Sequence, residues 1–162
     1  MKKVIISLVI CLLMLGLISA PVLADTPVAR HKVIGGGTIE RPVVGVELGL
    51  VTAAFIAQQV DESGNAEGEL VIKLRNPMGD MRVKADIVCL AVDGNKAWIV
   101  GVVVEPSSTW FIGFEVQDNG EGSEAIAPDL ISQAQRVDGP TWALGKPDLA
   151  MVGWTNGNVQ VK

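Results

Sequence analysis

The sequence predicts an all-β protein, an antiparallel meander closing into a barrel or sandwich of about eight strands. Two observations point there. Apolar residues recur at every second position through several runs, and no run carries an amphipathic helical period of useful length. The runs are also separated by only about three to five turn-forming residues, and connections that short join antiparallel neighbours.

The first 24 residues stand apart from this pattern. Lys2 and Lys3 precede an apolar stretch from Val4 to Ile18, and Ser19 to Ala24 offers a small-residue exit. A basic start, an apolar centre and such an exit make a secretory signal peptide, with cleavage expected after Ala24. A membrane-spanning helix needs roughly 20 predominantly apolar residues, and Pro21 interrupts this shorter run. Cys11 is followed by more apolar residues, which argues against a lipoprotein. The expected product is secreted, in the extracellular or cell-envelope space, with no stable membrane anchor after cleavage. Losing Lys2 and Lys3 takes the formal charge from −5 to −7. That charge argues against nucleic acid as a partner, because phosphates need basic surfaces. One cysteine, Cys89, then remains, so no intramolecular disulfide is available.

Asp25 to Lys32 reads as a flexible leader holding the single histidine, His31. A single domain is expected from residue 33 to residue 162. Gly35-Gly36-Gly37 lacks the following Lys-Ser/Thr of a phosphate loop and reads as the flexible start of a strand. Leu50 to Val60 is rich in Val, Thr, Ala and Phe and ends at Asp61-Glu62-Ser63-Gly64-Asn65. Gly68 to Arg75 places Leu70, Ile72 and Leu74 on one face, with Glu69, Lys73 and Arg75 opposite. After Asn76 to Asp80, Met81 to Val92 puts Val83, Ala85, Ile87 and Cys89 on one face. Asp93-Gly94-Asn95 is a tight hairpin signal. Ala97 to Glu105 and Trp110 to Gln117 follow, separated by Pro106 to Thr109. Arg136 to Asn156 reads as an irregular excursion whose Trp142 and Trp154 cap one end of the core. Gly157 to Lys162 alternates again and returns to the sheet.

Several of these segments also act together. The Gly35-Gly36-Gly37 opening is followed by Phe55 to Val60 leading into Gly64-Asn65, then Val88-Cys89-Leu90 and Gly94 to Val103. Val116-Gln117-Asp118-Asn119-Gly120-Glu121-Gly122 and Pro128-Asp129 complete the set. Over residues 33–162 the chain thereby resembles a family of small secreted bacterial β-domains of unknown function. The resemblance implies export and an all-β fold, and it transfers no catalytic residue.

The candidate chemistry is sparse. Asp118, Asn119, Glu121 and Asp129 carry the oxygen atoms that calcium requires, in a glycine-containing loop without EF-hand spacing. The competing reading is a turn in which Asp118 and Asn119 hydrogen-bond nearby backbone N–H groups, and it is the favoured one. Cys89 reads as a buried thiol, since His31 lies far upstream on the leader. No second histidine exists to activate Ser107 or Ser108. Trp142 and Trp154 are candidates for stacking on a ligand, against the commoner role of filling the core. Glu105, Glu115, Asp118 and Glu121 are acidic without any pairing that singles them out.

Two functions follow. The first is a secreted, non-enzymatic module with a structural role or one in binding an extracellular ligand or protein. The alternative is an extracellular hydrolase using carboxylates of the Asp118–Asp129 loop. No cofactor is expected beyond the candidate calcium. Inward-facing aliphatic residues favour the first; carboxylates converging beside a cleft favour the second.

Overall fold

The computed structural model describes residues 31–43, 46–76, 79–107, 109–121, 125 and 127–162. The expected signal peptide, most of the leader and Glu124 lie outside the described residues. Lys32, read as the end of the leader, already belongs to the first strand. Its N–H and C=O both pair with Lys162, each at 2.9 Å.

Ten strands form one antiparallel sheet, curled into a half-barrel. They are β1 (Lys32–Val43), β2 (Val46–Gln59), β3 (Ala66–Asn76), β4 (Gly79–Asp93), β5 (Lys96–Glu105), β6 (Phe111–Gln117), β7 (Leu130–Ser132), β8 (Gln135–Val137), β9 (Met151–Gly153) and β10 (Asn156–Val161). From β1 to β6 the chain is the expected meander, each strand pairing with the next. The strands beyond the expected eight are three-residue pieces. β7 and β8 pair with opposite ends of β6, and β9 pairs with β7. Arg136 to Asn156 is therefore less irregular than its composition suggests. It runs through β8, a 3-10 helix (Pro140–Gly145) and β9. Segments this short are too brief to carry a period.

The inner face of the curl holds the main core. Phe55, Leu70, Ala85, Ile99, Phe114, Val116 and Val159 are all nearly or fully buried there. Phe55 and Phe114 meet edge to face, with centroids 5.2 Å apart and planes at 70°. The glycine run explains how those rings fit. Gly35 and Gly37 share the inward face of β1 with Val33 and Ile39. The Phe55 ring occupies the space a side chain at Gly35 would need. A Cβ at Gly37 would sit 2.6 Å from Cε3 of Trp154. The run makes room for two aromatic rings.

A second, smaller core lies on the outer face of β4, β5 and β6, under the 3-10 helix. It contains Cys89, Ala91, Trp98, Val100, Val137 and Ala143. Cys89 is therefore not on the face of Val83, Ala85 and Ile87, as strict alternation predicts. The β4–β5 register shifts between Ile87 and Cys89. The bulge lets one residue go unpaired and reverses every later side chain. Leu90 thus joins the inner core while Cys89 and Ala91 join the outer one.

The segment after β8 is strapped to this outer face. Trp98 Nε1 donates to the Pro147 carbonyl at 2.8 Å, and Leu149 N–H donates to Glu115 Oε2 at 3.2 Å. Lys146 Nζ reaches Asp93 at 3.0 Å. Glu115 is fully buried beneath the strap and paired with Lys96, 3.0 Å away.

Candidate functional site

The two edges of the curled sheet, β9 and β10, are consecutive in the chain. Trp154 and Thr155 carry the chain across the gap between them. Trp154 N–H donates to the Asp129 carbonyl at 3.0 Å, and Thr155 N–H donates to the Thr38 carbonyl at 2.9 Å. Beyond this crossing β10 has β1 on one side only, so the N–H groups of Val159 and Val161 face away from the ladder.

The Asp118–Asp129 loop supplies their acceptors. Asp129 Oδ2 accepts from Val159 N–H at 2.6 Å, and Asp118 Oδ2 accepts from Val161 N–H at 3.0 Å. The remaining oxygens hold the loop itself. Asp129 Oδ1 accepts from Asn119 N–H at 2.7 Å, and Asp118 Oδ1 accepts from Gly120 N–H at 2.9 Å. Gly120 takes φ 93°, a left-handed value suited to glycine. Asn119 donates from Nδ2 to the Pro128 carbonyl and accepts from Gln117 Nε2, each at 2.8 Å. Glu121 Oε1 accepts from the side chains of Asn158, at 3.0 Å, and Gln160.

Asp118, Asn119, Glu121 and Asp129 are thus brought together, as the sequence suggests, but not as a calcium cage. Both oxygens of each aspartate, together with Asn119 Oδ1 and Glu121 Oε1, are turned onto N–H donors. Calcium would have to displace those donors to reach the same atoms. Among the described residues, no three His, Cys, Asp or Glu side chains gather as a metal site. The loop is a side-chain seam along a sheet edge.

The tryptophan candidates also separate. Trp154 is 5 % exposed and lies in the inner core; its Nε1 has no hydrogen-bond partner among the described residues. Trp142 packs on the outer face, against Gly113. The two indoles lie on opposite sides of the sheet and cap no common end. Neither lines the apolar cleft at the end of the half-barrel.

The indole on that lining is Trp110, just before β6. One end of the half-barrel is left unfilled, as an apolar cleft of about 290 Å³. Its wall takes Ile39 from β1, Val51 from β2, Ile72 and Leu74 from β3, Met81 and Val83 from β4 and Ile112 from β6. Ser132 and Gln133 are the polar residues on the lining, and no carboxylate reaches it. Ser132 is itself committed, its Oγ accepting from Glu115 N–H at 2.8 Å. Trp110 sits one residue outside a regular strand, where alternation does not say which face a side chain takes.

The remaining nucleophile candidates find no activation. Burial pushes the Cys89 thiol up, with the Asp61 charge adding to the effect. A thiol held protonated is a weak nucleophile. His31 is tied to β2, its carbonyl accepting from Gln59 N–H at 2.9 Å. Ser107 is exposed in the turn after β5, and Ser108 lies outside the described residues.

Comparison with known proteins returns no matching family model, no matching curated protein and no matching solved structure.

Proposed function

We propose that the protein is an exported, non-enzymatic binding module that holds a small apolar ligand in the open end of its half-barrel. The observation that carries this reading is the cleft. Its walls come from β1, β2, β3, β4, β6 and β7, and they are aliphatic apart from Trp110, Ser132 and Gln133. Ligand sites are concave, mostly apolar and largely preformed, and commonly occupy roughly 300–1,000 Å³. This cleft lies at the small end of that range, which suits a short acyl chain or a compact ring system. The hydrolase alternative draws no support from the loop it named, because the Asp118 and Asp129 carboxylates bind backbone N–H groups. Export rests on the first 24 residues of the sequence.

The test uses the full gene expressed in a bacterial host, with protein recovered from the envelope or medium. Intact mass reports cleavage after Ala24. Titration with the neutral fluorophore N-phenyl-1-naphthylamine reads occupancy of the cleft. Ile72→Trp and Ala134→Trp fill it from two walls. Saturable enhancement that both variants abolish, without loss of Tm, supports the reading. Absence of enhancement, or enhancement indifferent to both variants, overturns it.

A further inference from the structure

A second concavity lies on the opposite face of the same strands. It is a groove of about 330 Å³ lined by Leu50, Thr52, Lys73, Leu74, Arg75, Asp80, Met81 and Arg82. Lys73, Arg75 and Arg82 face a single lining carboxylate, Asp80, in a protein of net charge −5.

The register makes this arrangement costly for the empty fold. Thr52, Lys73 and Arg82 are direct cross-strand neighbours on β2, β3 and β4. Adjacent strands lie roughly 4.8 Å apart, so the lysine and the arginine stand side by side. Like charges directly opposite one another destabilise a sheet. Elsewhere the same ladder avoids or offsets this. Arg75 stands opposite Asp80. The acidic pair Glu69 and Asp86 has Lys84 only 2.6 Å from Glu69. Lys73 has no ion-pair partner among the described residues. Arg82 reaches Glu105 only at 3.8 Å, with both side chains half exposed.

We propose that this groove binds a tetrahedral oxyanion, a phosphate or sulfate group. The Lys73 ammonium and the Arg82 guanidinium take two of its oxygens, and the Thr52 hydroxyl donates to a third. Charge-assisted bonds of this kind are short and strong, and the guanidinium fork matches two oxygens at once. The groove shares Leu74 and Met81 with the apolar cleft, but Thr52, Lys73 and Arg82 line the groove alone, and the proposal does not depend on a ligand in the cleft.

The test is thermal unfolding and calorimetric titration of the secreted protein with inorganic pyrophosphate and sulfate at low salt. Expected is saturable binding, a Tm that rises with anion concentration, and a response that fades as sodium chloride is added. Lys73→Gln and Arg82→Gln should each weaken binding at least roughly tenfold, the scale of one lost charge-assisted bond. Lys73→Glu should lose the response and also melt higher than the parent in anion-free buffer, because repulsion becomes attraction. Sedimentation with vesicles of phosphatidylglycerol, against phosphatidylcholine alone, separates a lipid headgroup from a free anion as the source. No response to either anion or to the anionic vesicles overturns the proposal. So does a response that survives all three substitutions.

Discussion

Asp129 Oδ2 accepts the backbone N–H of Val159 at 2.6 Å, in the place where a neighbouring strand would offer a carbonyl. The aspartate is 5 % exposed, and its other oxygen holds Asn119. One side chain thus joins the β6–β7 loop to the edge of β10.

Removing that carboxylate leaves two N–H groups without acceptors. Asp129→Ala should cost about 2–6 kcal/mol, since each buried orphan group costs about 1–3 kcal/mol. Urea unfolding reads the loss. Hydrogen exchange at Val159 should accelerate more than exchange at Ile99, in the middle of the sheet. Asp118→Ala should cost less, because Asp118 is only half buried.

The inward glycines should tolerate no side chain. Gly37→Ala drives a methyl into the Asn156 carbonyl of β10 and the Trp154 ring, and Gly35→Ala drives one into Phe55. Each should cost about 1–3 kcal/mol, the usual penalty for overpacking. Gly35→Ala combined with Phe55→Leu should be less destabilised than the sum of the two changes, which thermal melts of all four proteins will show.

Lys96 and Glu115 should set an alkaline limit on stability. The hydrogen bond to Glu115 holds the Lys96 ammonium above its ordinary pKa of 10.5; burial opposes this, and the Glu115 and Asp148 charges add to it. A group whose folded pKa is raised stabilises fully below its unfolded pKa. The contribution is then lost as pH rises through the folded value. Denaturation midpoints should therefore fall above about pH 10.5, and the fall should be smaller in Lys96→Arg, whose charge persists. Lys96→Met should be damaging at neutral pH, by about 3 kcal/mol, because it leaves a buried carboxylate unpaired.

The Cys89 thiol should be silent in the folded protein. It is 4 % exposed, and burial raises its pKa. Ellman's reagent at pH 8 should react slowly with native protein and at once in urea. Fast native reaction would place the thiol outside the smaller core under the 3-10 helix.

The legibility of this fold follows the length of its elements. The longer strands show their alternation, so β2 to β6 and the six-residue terminal β10 can be read from the residues. Strands of three residues cannot, and β7, β8 and β9 escape. The bulge at Ile87 escapes for a different reason. A register shift leaves no mark in composition, yet it moves Cys89 to the other face. The seam was half legible. Asp118, Asn119, Glu121 and Asp129 stand out as a set of oxygens, and Asp118 does bind the nearby Gly120 N–H. What they chiefly bind is β10, some thirty to forty residues away, and that partner is set by topology. The apolar cleft is invisible in the sequence because its lining residues are the same types that fill the core.

The pairing of Lys32 with Lys162 carries one more consequence. In space these residues are as close as partners in a hairpin, although almost the whole domain lies between them in the chain. The sheet therefore does not depend on where the covalent chain is interrupted. A short linker from Lys162 to Lys32, with new ends opened at Gly94 in the β4–β5 turn, should yield a circular permutant with the same strands as neighbours.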